Sequence, residues 1–215
     1  MLKSALLIDL RTSLGLEQKT AGGIMLNIWD ANWGLELDLC PCDLHFVEML
    51  ADRSIANSVI YHFGSGGHHL VGVECMKAGK SNVVMSITAA PQEEKEYEKL
   101  IIAEPQLAHH YICYFSDIYT FDGRLLPMFD VTTIFHLCEF RSSAQDTYSG
   151  HTDKEVLRRL CKQTKAGGLV VFYSGSDGWI GTKPLIDDAV AQGLIEADGQ
   201  FKTLHIYRRT VKKVT

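Results

Sequence analysis

Residues Asn57 to His69 read NSVIYHFGSGGHH, a short apolar run that ends in a glycine-rich loop. The run Val59-Ile60-Tyr61 is typical of a buried strand, and the residues after the loop favour a helix. Glycines at a strand-to-helix junction allow a sharp turn and let a ligand approach the main chain closely. The amides that open the next helix can hold polar or anionic groups. This loop is therefore the leading candidate for a ligand site.

Strand and helix patterns alternate along the rest of the chain. Apolar runs predict strands at 59–61, 82–88, 111–115, 129–137 and 169–173. Helices are predicted at 44–50, after the glycine loop, from Pro91, from a capping box at Thr152 to a Gly167-Gly168 stop, and at 184–192. A hairpin with an Asp198-Gly199 turn is predicted to close the chain. The sequence thus predicts an α/β fold: a mainly parallel, seven-stranded sheet with helices on both faces and a C-terminal antiparallel hairpin.

The loops that follow the strands are the predicted ligand-binding edge. Ligands of open parallel sheets bind beyond the carboxyl ends of the strands, near the point where the strand order reverses. The loops concerned are 64–68, 86–90, 116–119 and 136–140. Glu93, Glu94 and Glu96, in the early turns of the helix that begins at Pro91, are interpreted as a solvated acidic face.

The composition indicates one globular domain with an N-terminal extension. The chain has 215 residues, of which 46% are hydrophobic and 22% charged, and its net charge is -5. This balance does not favour nucleic-acid binding. No apolar run is long enough to cross a membrane, and the opening residues lack a secretory signal pattern. We therefore expect a cytoplasmic protein with reduced cysteines.

Two parts of the chain are expected to differ in role. Residues 1–45 are predicted to be an extension that acts as a lid or an interface, and residues 46–215 form the main domain. Trp29 and Trp33 lie one helical turn apart, so they could share a helix face in such a lid. The alternative is that they only pack the extension onto the main domain.

Four segments give the chain a resemblance to a known family. They are HFGSGGH at 62–68, SDIY at 116–119, FDVTTIFHLCEF at 129–140 and LRRLCKQTKAGGLVVFY at 157–173. In order and spacing they resemble the glycine motif, the adenine-contacting segment, the fourth strand, and the helix, turn and fifth strand of class I S-adenosylmethionine-dependent methyltransferases. The resemblance covers about three quarters of the chain, from Phe46 onward. It implies a Rossmann-like domain that binds S-adenosylmethionine.

The resemblance also implies a set of cofactor-binding positions. In this sequence they are occupied by His62, Gly64, Ser65, Gly66, Gly67, Thr88, Asp117 and Ile118. His62 stands where the family has the carboxylate of its glycine motif, and Thr88 stands where the second strand ends in an acid that binds the ribose. A neutral hydroxyl loses the stronger charge-assisted hydrogen bond, a difference of about 1 kcal/mol. For Asp117, a cap on the following turn is the alternative role.

Histidines concentrate near the predicted binding edge. His62, His68 and His69 surround the glycine loop, and His136 follows the fourth strand with Glu139 close behind. His136 and Glu139 are the candidate catalytic residues, with His136 as a general base that Glu139 orients, or with Glu139 acting alone. The alternative is that these side chains only form hydrogen bonds within their loops.

No metal site is predicted from the sequence. Cys40-Pro-Cys42 with His45 offers ligand atoms but lacks the paired C-x-x-C spacing of zinc sites. A set of His62, His68 and His136 is the other weaker alternative, since imidazoles bind transition metals readily.

The sequence leads to one functional hypothesis and two alternatives. The leading hypothesis is methyl transfer from S-adenosylmethionine to an oxygen or nitrogen of a small molecule, with a homodimer left open. The first alternative is a catalytically silent relative that binds a ligand or a protein partner, which the missing acid at Thr88 favours. A nucleotide-dependent oxidoreductase is less favoured, because it too needs an acid after the glycine loop.

Overall fold

A computed structural model describes residues 28–148 and 150–211. Within them, seven strands form one sheet in the order β3-β2-β1-β4-β5-β7-β6. The strands are β1 (Val59–Phe63), β2 (Val83–Thr88), β3 (Tyr111–Phe115), β4 (Phe129–Thr133), β5 (Thr164–Tyr173), β6 (Ile195–Phe201) and β7 (Leu204–Arg209). The first five strands pair in parallel, and β7 pairs antiparallel with both β5 and β6. The predicted fold class is confirmed.

Helices cover both faces of the sheet. They are α1 (Cys42–Asp52), α2 (Leu70–Lys77), α3 (Pro91–Ala103), α4 (Ser143–Asp146), α5 (Asp153–Gln163) and α6 (Trp179–Ala191). Successive strand residues point to opposite faces, so Ile60 packs in the core with α1 and α2, while Tyr61 packs in the core with α5 and α6. This two-sided burial explains why the parallel strands are continuous apolar runs.

Two predicted turns lie inside strands. Gly167-Gly168 was expected to stop a helix, but α5 ends at Gln163 and the glycines form a bulge in β5, where Gly167 has a φ of 80°. Asp198-Gly199 was expected to be the hairpin turn, but it is a bulge in β6, and the chain reverses after Phe201 with Lys202 at a φ of 51°. Gly167 and Gly199 take a positive φ, as is usual for glycine in a turn, but pairing with the neighbouring strand continues past them.

The fourth strand is shorter than predicted. β4 ends at Thr133, and residues 135–139 form turns in which Cys138 has a φ of 68°. The start of α6 packs on this segment: a Cβ added to Gly178 would lie 2.1 Å from the Leu137 oxygen, and Thr182 donates a hydrogen bond to that oxygen over 2.8 Å. His136 and Glu139 are therefore carried by a clamped turn and not by a strand.

The described part of the extension contains no helix before Cys42. Trp29 and Trp33 lie in an irregular segment, so their predicted placement on one helix face is wrong. Residues 1–16, whose sequence lacks a secretory signal pattern, lie outside the described part of the chain. Among residues 28–148 and 150–211, no helix has the length and apolarity that a bilayer-spanning segment requires.

The contact between α2 and β3 fixes the distance between a helix and the sheet. Gly72 of α2 lies directly against the Tyr111 ring, which a Cβ at residue 72 would approach to 2.3 Å. Tyr111 is buried, and its hydroxyl is hydrogen-bonded to Ser86 and His69, both at 2.8 Å. The ring therefore has little freedom to move away.

We predict that Gly72→Ala destabilises the protein. Alanine improves helix propensity by about 1 kcal/mol, but overpacking against the fixed ring costs about 1–3 kcal/mol, so the net effect is a loss. The measurement is the urea midpoint of unfolding. Gly34→Ala is the control, because a Cβ there meets nothing within 4 Å and the change should stay within about 0.5 kcal/mol. An unchanged or raised midpoint for Gly72→Ala would contradict the packing argument.

Candidate functional site

A crevice lies at the carboxyl ends of the parallel strands. Its volume is about 630 Å³, within the range of roughly 300–1,000 Å³ that is usual for sites of small molecules and cofactors. All four predicted loops contribute to it, together with residues between Trp29 and Asp43 and the loop after β5. A second, more open depression of about 580 Å³ includes Asp130 and Lys165, which form an ion pair with each other. The crevice is thus the better candidate site.

The glycine loop meets the crevice through two of its predicted residues. Gly64 and Gly66 line the cavity, and Gly66 has a φ of 55° with no room for a side chain, since a Cβ would lie 2.4 Å from His68 Nε2. Ser65 is buried behind the loop, where its hydroxyl donates to Glu93 Oε2 over 3.2 Å. Gly67 is covered, because its amide donates to the Trp33 oxygen over 2.8 Å. Residues 64–67 therefore offer main chain to the cavity, and His68 is the residue of the loop that adds a large side chain.

The Asp43 carboxylate of α1 lies beside His62, one of the predicted cofactor-binding residues. His62 itself is buried outside the cavity lining, with Nδ1 3.0 Å from the Thr133 hydroxyl and Nε2 3.4 Å from Asp43 Oδ1. Asp43 lines the crevice and also lies 3.7 Å from His68 Nε2. Burial opposes ionisation of Asp43, but His62 and His68 outweigh it and hold its pKa below the usual value. This residue was missed because it precedes the loop by 21 positions.

A second carboxylate stands at the end of β2. Thr88 lines the cavity as predicted, and its hydroxyl donates to Glu93 Oε2 over 2.7 Å. Glu93 also lines the cavity and is only 2% exposed, so its interpretation as part of a solvated face is wrong. Burial raises the pKa of Glu93, while the hydrogen bonds from Thr88, from the Trp33 amide and from Ser65 act in the opposite direction.

The predicted adenine-contacting pair lies at the same edge. Asp117 and Ile118 both line the crevice and are almost fully buried. Asp117 Oδ1 accepts a hydrogen bond from the Tyr119 amide over 2.8 Å, which is the turn-capping role considered above. Its other oxygen accepts from the Tyr148 hydroxyl and, over 3.4 Å, from Gln145. The carboxylate thus has a structural role in addition to its place in the cavity wall.

The segment 29–33 crosses the opening of the crevice. Both tryptophans line the cavity and pack edge-on against Phe140, with ring centroids 5.2 and 5.6 Å away. The Trp29 amide donates to Ala89 over 3.1 Å, and the Trp33 amide donates to Glu93 over 3.4 Å. The segment therefore joins the loops after β1, β2 and β4, and its role as a lid stays a prediction.

The predicted catalytic pair is brought together. His136 Nδ1 lies 3.1 Å from both carboxylate oxygens of Glu139, which also accepts hydrogen bonds from the Ser176 hydroxyl and the Gly178 amide. The other ring nitrogen, Nε2, faces the thiols of Cys40 and Cys42 at 3.9 and 3.8 Å. The base role of His136 stays a prediction, since its second nitrogen is directed at thiols.

Cys40, Cys42 and His136 shift one another's pKa values at this end of the crevice. A hydrogen bond from the Cys42 thiol, assisted by His136, lowers the pKa of Cys40 to about 5. Burial would lower the pKa of His136, but Cys40 and Glu139 outweigh it and raise that pKa to about 10. The two opposite shifts favour a thiolate at Cys40 beside an imidazolium at His136.

The two sets of metal ligands considered in the sequence do not come together in the structure. His45 is turned away from the cysteines, with Nδ1 2.8 Å from the Thr203 hydroxyl. His62 is held by Thr133 and Asp43, and it does not line the cavity with His136. His136 instead joins the two cysteines that the first set contained.

Comparison with solved structures identifies the fold. The chain is similar to a protein of Methanococcus maripaludis assigned as an S-adenosyl-L-methionine-dependent methyltransferase, with a TM-score of 0.55 and 13% identity over 82% of this chain and 89% of that one. It is similar to the [4+2]-cyclase SpnF at a TM-score of 0.53 and 16% identity, over 90% of this chain and 72% of SpnF. For TrmN from Thermus thermophilus the TM-score is 0.53 at 10% identity, and the match covers 75% of this chain but only 47% of TrmN.

These similarities lie in structure and not in sequence. No family model matches the chain, and neither does any curated protein. Matches with TM-scores of 0.53 to 0.55 at 10 to 16% identity show a shared fold. The chain has the Rossmann-like fold of class I S-adenosylmethionine-dependent methyltransferases, as the four sequence segments predicted.

We predict that the free energy of unfolding decreases as the pH is lowered, because of His69. This residue fixes the glycine loop to the sheet. Its nitrogens lie 2.8 Å from the Tyr111 hydroxyl and 2.9 Å from the Glu93 carbonyl, and burial lowers its pKa to about 4. In the unfolded chain His69 binds a proton near pH 6.5, whereas in the folded protein it does so only near pH 4. The contribution of His69 to stability is therefore complete above pH 6.5 and is lost as the pH falls from 6.5 to about 4. The expected loss is on the order of 3 kcal/mol.

Urea unfolding at pH 7, 6 and 5 measures this dependence. His69→Asn is the matched variant, because asparagine tolerates the positive φ of 47° at this position and has no proton to gain. The variant should be less stable at pH 7 but should lose less stability on acidification. An equal slope in both proteins would show that other groups cause the dependence.

Proposed function

We propose that the protein transfers a methyl group from S-adenosylmethionine to an oxygen or nitrogen atom of a small molecule. The observation that carries this proposal is the Glu93 carboxylate at the end of β2. Glu93 follows Thr88 by five residues, and its carboxylate lies beside the Thr88 hydroxyl, where it can take the place of the missing ribose-binding acid. It also lines the same cavity as the glycine loop. The fold of the matched Methanococcus maripaludis protein supports the same assignment.

The residues that would hold the cofactor form a continuous wall of the crevice. Gly64 and Gly66 would allow the cofactor to approach the main chain, because neither residue carries a side chain and both line the cavity. Glu93 accepts three hydrogen bonds from protein groups, so a carboxylate with about four acceptor sites retains capacity for a ribose hydroxyl. Asp43 would face the charged amino acid end, and Ile118 would contact the adenine. The bound cofactor would supply an activated methyl group.

The chain's own contribution to the reaction would be alignment and exclusion of water. Methyl transfer depends chiefly on holding the nucleophile in line with the methyl group, so a dedicated base is optional. Trp29, Trp33 and Phe140 close one side of the cavity with apolar surface. Such a wall favours a small acceptor that enters beside it and keeps bulk solvent from the reacting atoms.

A second candidate is a ligand-binding protein that transfers no methyl group. Trp33 already binds both the Gly67 amide and the Glu93 carboxylate, which are groups that a cofactor would be expected to approach. The similarity to SpnF, which is a [4+2]-cyclase, also favours this alternative, because one fold hosts several chemistries. Three properties stay predictions: the protein binds no nucleic acid, it can form a homodimer, and it is cytoplasmic.

We predict micromolar binding of S-adenosylmethionine and S-adenosylhomocysteine. The measurement is calorimetric titration of folded protein shown by mass spectrometry to be free of retained ligand, with NADH as the comparison. Gly66→Val should abolish binding, because the side chain would fill space now held by His68 and would strain a positive φ. If neither sulfur compound binds, or if NADH binds in their place, the cofactor assignment fails.

We also predict that Glu93→Gln weakens binding of S-adenosylhomocysteine by about 5- to 10-fold. Loss of one charge-assisted hydrogen bond costs about 1–1.4 kcal/mol, which corresponds to that factor. Glu94→Gln is the matched control, since Glu94 lies in the same helical turn but does not line the crevice. Equal affinities for the two variants would remove Glu93 from the binding site.

A further inference from the structure

Three ligand atoms of the type that bind transition metals converge at one end of the crevice. The Sγ atoms of Cys40 and Cys42 lie 3.5 Å apart, and they lie 3.9 and 3.8 Å from His136 Nε2. Among the described residues, these three form the group of histidine, cysteine and acidic side chains that is close enough to share one ion. All three residues line the crevice.

The separations agree with those around a tetrahedral zinc ion. Ligands at about 2.3 Å for sulfur and about 2.05 Å for nitrogen would place the two sulfur atoms about 3.8 Å apart and each sulfur about 3.6 Å from the nitrogen. The observed distances differ from these by about 0.3 Å, which small side-chain rotations would remove. Two thiolates and one imidazole are also a ligand set that zinc favours over magnesium or calcium.

Glu139 prepares the histidine for this role. Metal-binding histidines almost always donate their second ring N–H to a carboxylate, a carbonyl or water, which fixes the tautomer and the ring orientation. His136 Nδ1 lies 3.1 Å from both oxygens of Glu139, and Glu139 is itself held by Ser176 and Gly178. The nitrogen left to bind an ion is therefore Nε2, the atom that faces the thiols.

Other roles for the two cysteines explain less of this geometry. A disulfide needs sulfur atoms about 2.05 Å apart, whereas these atoms are 3.5 Å apart and both thiols are free. A nucleophilic thiol with His136 as its base would use Cys40 alone. It would leave unexplained why the buried Cys42 lies at the same distance from Nε2 as Cys40. A shared ion accounts for both distances.

We propose that Cys40, Cys42 and His136 bind a zinc ion, and that Glu139 orients His136 for this purpose. Three protein ligands leave the fourth position to water or to a donor atom of a bound molecule, as in catalytic zinc sites. Two thiolates balance the charge of the ion, which permits its burial beside Asp43 and Glu139. His136 would then act as a ligand and not as a general base. This inference is independent of the methyl-transfer proposal.

The test is the metal content of the reduced full-length protein after removal of any histidine tag. We expect elemental mass spectrometry to find about one zinc ion per chain. If a chelator has removed the metal, the protein should take up one ion again at micromolar zinc. When cobalt(II) replaces zinc, the protein should show thiolate-to-metal charge-transfer absorption. Cys40→Ser, at a half-buried position outside the helices and strands, is the least disruptive variant, and it should lose both signals. Cys42→Ser and His136→Gln should lose them as well.

Matched variants separate a metal site from a general effect on folding. Cys113→Ser alters a partly buried thiol outside the cluster and should keep a full equivalent of zinc. Glu139→Gln should still bind one ion at saturation but about 10- to 100-fold more weakly in competition with a chelator. The proposal fails if folded, reduced protein takes up no zinc. It also fails if Cys40→Ser and His136→Gln retain zinc, or if Cys40 and Cys42 are found as a disulfide.

Discussion

The parallel pairing of β1 between β2 and β4 is the constraint on which the rest of the structure depends. With a neighbour on each side and helices over both faces, β1 can extend only as a buried apolar strand. Parallel neighbours end at the same edge, so the loops after β1, β2 and β4 must meet there. The crevice is a consequence of that pairing, and the glycine loop stands at its centre because β1 is the middle one of the five parallel strands.

The charge of the crevice depends on residues outside the glycine motif. Asp43 and Glu93 each lie in the first turn of a helix, where the local dipole favours a carboxylate. Each is buried, and each is compensated by neighbours: two histidines for Asp43, and two hydroxyls and an amide for Glu93. A histidine and a threonine at the family's acidic positions therefore do not make this cavity neutral.

The cysteine end of the crevice is built from elements far apart in the chain. Cys40 and Cys42 come from the entry to α1, while His136 comes from the turn after β4, which packing against α6 holds in place. Because this turn is clamped, the direction of Nε2 is set by the fold and not by a flexible loop. The same crevice thus combines a wall suited to a nucleoside-containing cofactor with a cluster suited to a soft metal ion.

The sequence by itself determined the fold class, the strand-helix alternation, the edge at which the crevice lies and the pairing of His136 with Glu139, because periodicity, turn residues and short spacings are local properties. It placed two turns wrongly, at Gly167 and at Asp198-Gly199, since strand pairing overrode a local glycine signal. Only the tertiary structure decided that Asp43 and Glu93 enter the crevice and that Cys40 meets His136 across 96 residues. Such contacts follow from how helices pack on a sheet, and no local pattern records that packing.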